Sequence, residues 1–99
     1  MEPKNEEEKP VSLDISSLDT LILLRFFISI LSEKAWQNMG LRIKPGTEEV
    51  EKDLEKAKIA IDTIEYIIKS LELKITEDEK KSLKNLLADL QINFVRQST

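Results

Sequence analysis

Leu21 to Leu31 reads LILLRFFISIL. It is the one run in the 99-residue chain that is apolar on nearly every side, and the remaining segments read as its cover. At 100° per residue, Leu21, Leu24, Ile28, Leu31 and Ala35 fall on one face of a helix. Ile22 and Phe26 lie on a second side, and Leu23, Phe27 and Ile30 on a third. Only Arg25, Ser29 and Ser32 form a narrow polar strip. A helix that is hydrophobic all round must be covered from more than one direction. Eleven residues interrupted by Arg25 are too few for a transmembrane span, which needs about 20.

Working outward, the first helix is predicted over about 18–39, with Ser16 or Ser17 as N-cap, Asp19 as a first-turn acid and Gly40 as the stop. Pro45 and Gly46 make the following stretch a loop, and Thr47, followed by Glu48, Glu49 and Glu51, reads as the cap of a second helix over about 48–72. Its stripe is Val50, Leu54, Ala57, Ile61, Ile64, Ile68 and Leu71, widened by Ile67. Ile59 and Tyr66, seven apart, form a weaker stripe on the opposite side. After a brief connection, Thr76 with Glu79 three residues on reads as a capping box. It opens a third helix over about 77–95, with Leu83, Leu86, Leu87, Leu90 and Phe94 on its buried face. A connection that short makes helices two and three an antiparallel hairpin. The fold class expected is therefore all-α: a long apolar first helix on a two-helix hairpin, completed by dimerisation.

Residues 1–12 are polar, acidic and bracketed by Pro3 and Pro10, and read as a disordered tail ahead of a single helical domain over 13–99. Glu6, Glu7 and Glu8 sit in that tail, where no rigid metal geometry is expected. Val11 to Ile15 alternates apolar and polar, as a short extended lead-in would.

The composition limits the chemistry. There is no Cys, which excludes disulfides, thiolate nucleophiles and cysteine-ligated metals, and no His, which removes the usual general base near neutral pH. The net charge of −4 and the lack of a basic window argue against nucleic acid. No Gly-rich phosphate loop is present, no cofactor is expected, and the absence of Cys and of a secretory signal points to a cytoplasmic setting.

The chain resembles a small bacterial family of uncharacterised proteins, domain of unknown function eighteen-forty-four. The resemblance spans roughly Asp14 to Val95 and rests on Phe27, Ser29, Leu31, Ser32 and Ala35, on Met39–Gly40, and on Pro45. It continues through Leu54, Glu55, Ala57, Lys58, Ile61 and Asp62, then Ile75, Thr76 and Glu79. Leu83, Leu87, Leu90, Phe94 and Val95 close it. The Ala-Lys-x-x-Ile-Asp block is its most specific piece; Asp78 stands where family members often carry Glu, and Phe26 and Trp36 are less typical. The resemblance implies the helical fold and brings no activity, substrate or cofactor with it.

Two polar groups stand out. Lys58 and Asp62, four apart on helix two beside Glu55, are expected to form a solvated ion pair rather than an acid–base pair. Arg25 interrupts the apolar run and needs a carboxylate if it is covered; Asp62 and Glu65 are the expected partners, in a role that fixes helix register. One hairpin covers about half of the first helix, so Leu23, Phe26, Phe27 and Ile30, with Ile59 and Tyr66 on helix two, are the interface candidates. The reading that follows is a non-enzymatic module that self-associates. Its alternatives are an adaptor that binds a different protein through the same surface, and an enzyme using Lys58 and Asp62.

Overall fold

A computed structural model describes residues 15–43 and 45–99. The expected acidic tail and most of the Val11–Ile15 lead-in lie outside the described residues. Three helices carry the fold: α1 (Thr20–Asn38), α2 (Leu54–Leu71) and α3 (Glu77–Ser98). Two single-turn 3₁₀ segments, Ile15–Ser17 and Glu72–Lys74, precede α1 and join α2 to α3. Among the described residues there is no strand, only an isolated antiparallel bridge between Met39 and Lys52.

Each helix begins where a side chain satisfies an N–H that the helix itself leaves unpaired. Asp19 caps α1, its Oδ2 accepting from the Leu21 N–H at 2.9 Å. Ser16 and Ser17, the expected caps, lie instead in the preceding 3₁₀ turn. Asp53 caps α2 by accepting from the Lys56 N–H at 3.2 Å, so α2 begins six residues later than Thr47 and its glutamates suggest. Residues 48–53 are held against the end of α1: the Asp53 N–H donates to the Asn38 carbonyl at 2.7 Å, beside the Met39–Lys52 bridge. That tertiary contact satisfies the C-terminal end of α1 and keeps this stretch from continuing α2 backwards. Val50 accordingly leaves the helix-two stripe and is half exposed. Thr76 caps α3 as expected, accepting from the Glu79 N–H at 3.1 Å, and α3 runs three residues past the expected end.

Gly40 ends α1. Its φ of +81° allows its own N–H to donate to Gln37 and the Leu41 N–H to reach back to the Trp36 carbonyl, both at 3.0 Å. This is the paired closure of a glycine-terminated helix.

The order of the helices is up, down, up. The end of α1 meets the start of α2 through Asn38 and Asp53, and the end of α3 returns to the same level, where Lys52 Nζ donates to Gln97 Oε1 at 3.2 Å. α2 is the centre. It packs extensively on both neighbours, while α1 and α3 meet each other far less. Its stripe of Ala57, Ile61, Ile64, Ile67, Ile68 and Leu71 is buried together with Ile28, Ala35 and Met39 from α1 and its C-terminus, and Leu90 from α3. Leu21, Leu24, Leu31, Leu83, Leu86, Leu87 and Phe94 pack partly buried around this centre. Ser32, expected on a polar strip, is instead buried on the core flank, where its hydroxyl donates to the Ile28 carbonyl at 2.7 Å. That bond removes the cost of an unpaired hydroxyl in the core.

Candidate functional site

Because α3 lies against α2 and scarcely against α1, one helix alone covers the first helix. The apolar run therefore keeps a second face. Ile28, Ala35 and their neighbours turn toward α2; Ile22, Phe26, Phe27 and Ile30 turn away from it and are 52%, 41%, 41% and 47% exposed. Leu23, the fourth interface candidate, is half-buried between the two faces. Ile22, placed on a second side by the periodicity and not among the candidates, belongs with the exposed group.

The surface has defined ends. Toward the C-terminus of α1 it is closed off by the connection to α2. Gln37, on the outer side by periodicity, is buried and accepts from Lys34 Nζ at 3.3 Å, and Arg42 of the connection pairs with Glu33. Toward the N-terminus it ends at Asp19, whose carboxylate caps the helix. Along one flank a shallow hollow of about 340 Å³ is lined by Leu18, Ile22, Arg25, Phe26 and Ser29. The chemistry offered is thus large apolar side chains with a polar margin.

Arg25 sets that margin. It does not meet Asp62 or Glu65, the expected partners on the second helix. Its guanidinium instead grips Glu79 at the start of α3, Nε to Oε2 at 2.5 Å and Nη2 to Oε1 at 3.1 Å. The topology explains the choice: α1 and α3 begin at the same end of the molecule, while Asp62 lies mid-way along α2. The hydrogen bonds from Arg25 hold the Glu79 carboxyl below its ordinary range against an opposing desolvation effect. The same bonds raise the guanidinium, with desolvation opposing and the charges of Glu79 and Asp19 adding to them. Glu65 pairs with Lys69 at 3.7 Å, one turn further along α2.

Lys58 and Asp62 pair with each other at 2.7 Å, and both side chains are more than half exposed. They stand at the rim of a small groove of about 160 Å³ between α2 and α3, with Ile61, Gln91, Phe94 and Val95. Ile59 and Tyr66 are 65% and 73% exposed on the outside of α2 and are not brought together with the α1 surface, which faces away from that helix. Among the described residues, no group of three or more carboxylates converges in the manner of a metal site, and no helix is long and apolar enough to cross a membrane.

No curated protein and no solved structure matches the chain. A family profile does, over residues 22–96, which takes in all of α2, nearly all of α1 and α3, and every residue of the exposed apolar surface. The chain thus belongs to the family described as Domain of unknown function (DUF1844).

Proposed function

We propose that this protein is a non-enzymatic module that associates with itself through the outer face of α1. The single observation that carries the reading is the cluster Ile22, Phe26, Phe27 and Ile30, each two-fifths to one-half exposed on one helix face. Taking roughly 200 Å² for a large side chain, these four leave on the order of 350 Å² of apolar surface in water, the size of the largest patch on an ordinary monomer, which is often functional. A small domain has few ways to offset such exposure, and a two-fold association removes the patch from water on both copies at once. Lys58 and Asp62 support the non-enzymatic reading: they pair with each other at 2.7 Å, and both side chains are more than half exposed, as in an ordinary solvated helix ion pair.

The reading is tested by sedimentation velocity or light scattering from low to high micromolar concentration. A dimer that forms as concentration rises is expected, and Phe27→Glu is expected to leave a monomer with unchanged helical circular dichroism. A wild-type chain that stays monomeric across that range would remove the proposal.

A further inference from the structure

The charges at the two ends of the exposed face suggest how two copies meet. We infer that the outer faces of α1 pair antiparallel about a two-fold axis between Phe26 and Phe27, with Asp19 of each copy opposite Lys34 of the other. This rests on the self-association proposed above and adds its orientation and register.

At 100° per residue, Asp19 and Lys34 lie on the same side of α1 as Phe26, Ile30 and Leu23, one at each end of the apolar stretch. They are fifteen residues, or about 22 Å, apart along the axis. A two-fold axis between Phe26 and Phe27 stacks Phe26 on the second copy's Phe27, places Leu23 against its Ile30, and brings Asp19 to its Lys34 at both margins. Aromatic rings then meet at the centre, and opposite charges meet at the rim. The alternatives fare worse. A parallel pairing in register sets Asp19 against Asp19 and Lys34 against Lys34. Moving the antiparallel axis onto Phe26 sets Asp19 against the second copy's Glu33. Like charges placed opposite one another disfavour a register more strongly than rim pairs favour one.

Asp19 caps the Leu21 N–H through Oδ2 and Lys34 Nζ donates to Gln37, yet both side chains are exposed and each has capacity for a second partner. Lys34 is exposed, and Glu33, its acidic neighbour, is engaged by Arg42 of its own chain. Arg25 is held off the face by Glu79. With the flanking Leu23, Asp19 and Lys34, each copy contributes less than the roughly 800 Å² of a standard interface, the size class of weak and transient contacts.

The absence of native cysteine gives a direct test. Full-length Leu23→Cys and Ile30→Cys chains, one of them isotopically labelled, are mixed and oxidised, and the disulfide-linked products are weighed by mass spectrometry. The expected result is a several-fold excess of the mixed 23–30 product over either self-linked product. The self-linked pairs would need to bridge about 10 Å along the axis, beyond the reach of a disulfide. Predominant self-linked products, or a wild-type dimer with no cross-link between these positions, overturn the register while leaving self-association standing. A wild-type chain that is monomeric in sedimentation removes both. As a second readout, Lys34→Glu is expected to weaken the dimer by about 3–10-fold, while unchanged affinity counts against the Asp19–Lys34 pairing.

Discussion

Arg25 and Glu79 are the point at which the first and third helices are tied together. Both guanidinium-to-carboxylate bonds are made, Nε to Oε2 and Nη2 to Oε1, in the planar fork geometry that only arginine supplies. Glu79 also occupies the third position of α3, where its N–H is taken by Thr76. A capping box would turn its carboxylate back to its own helix; here the carboxylate is directed across to α1. One residue thus gives its backbone N–H to the cap of α3 and its carboxylate to a charged link with α1.

The first prediction concerns pH. The carboxyl of Glu79 is held below its ordinary value of 4.5 in the folded chain. The folded state therefore binds fewer protons than the unfolded state in the window between the two values. The contribution of the pair is complete above the unfolded value and is lost as pH falls through the lowered one. The urea midpoint of wild type is expected to exceed that of Glu79→Gln at neutral pH, and the two curves are expected to converge on acidification below 4.5. Arg25→Lys, which cannot make the two-pronged contact, should fall between them at neutral pH. Curves that keep a constant gap down to acid pH would show that the difference does not come from the ionised pair.

The second prediction separates two candidate caps. Asp53 makes the capping bond to the Lys56 N–H, so Asp53→Ala is expected to cost about 1 kcal/mol of unfolding free energy. Thr47 lies six residues ahead of Asp53, in the connection, where its hydroxyl accepts from Glu49 at 3.3 Å. Thr47→Ala is expected to cost a few tenths of a kcal/mol at most, in line with ordinary surface changes. Urea titrations of the two variants decide between them, and equal losses would place the start of α2 at the earlier residue.

That contrast also shows what could be read from the residues alone. The three helices, their order and the buried stripe of α2 follow from apolar spacing, because a stripe at three-to-four-residue intervals can be buried only as a helix face. The start of α2 was not legible. Thr47-Glu48-Glu49 has the composition of a helix entry, and what overrides it is tertiary: the bond from Asp53 to Asn38 and the bridge from Lys52 to Met39. Arg25 is a parallel case. Its interruption of the apolar run signalled a need for a carboxylate, but the partner depends on which helix ends share a level. Following the up-down-up order through to the N-termini would have pointed to Glu79. The exposed side of α1 was legible in outline, through Phe26, Phe27 and Ile30. The membership of Ile22 and the half-burial of Leu23 depend on how α2 is seated.

The third prediction concerns the two glycines, which share a backbone conformation but not an environment. Gly40 and Gly46 have φ of +81° and +83°, where a side chain is disfavoured by about 1–2 kcal/mol. A Cβ on Gly40 would also sit 3.4 Å from Val50 Cγ1, whereas one on Gly46 would meet nothing within 4 Å. Gly40 further carries the closure of α1. Gly40→Ala is therefore expected to destabilise more than Gly46→Ala, and equal losses in thermal midpoint would show that backbone strain alone is at stake.

The fourth prediction tests the central position of α2. Ile64 is fully buried where α2 faces its neighbours, while Ile59, five residues earlier on the same helix, is 65% exposed. Ile64→Ala removes three carbons from a filled interior and is expected to cost 2–5 kcal/mol, roughly 3 as a central value. A domain of this size has a total stability near the low end of about 5–15 kcal/mol, so the variant is expected to retain only about 2 kcal/mol and to unfold at a markedly lower denaturant concentration than wild type. Ile59→Ala leaves no cavity and is expected to change stability by about 0.5 kcal/mol or less. The pair is measured by chemical denaturation monitored at 222 nm, a wavelength that reports helix content. A small loss at Ile64 would mean that α2 is not the element on which both neighbours depend. A large loss at Ile59, growing with protein concentration, would instead place that residue in a contact between copies.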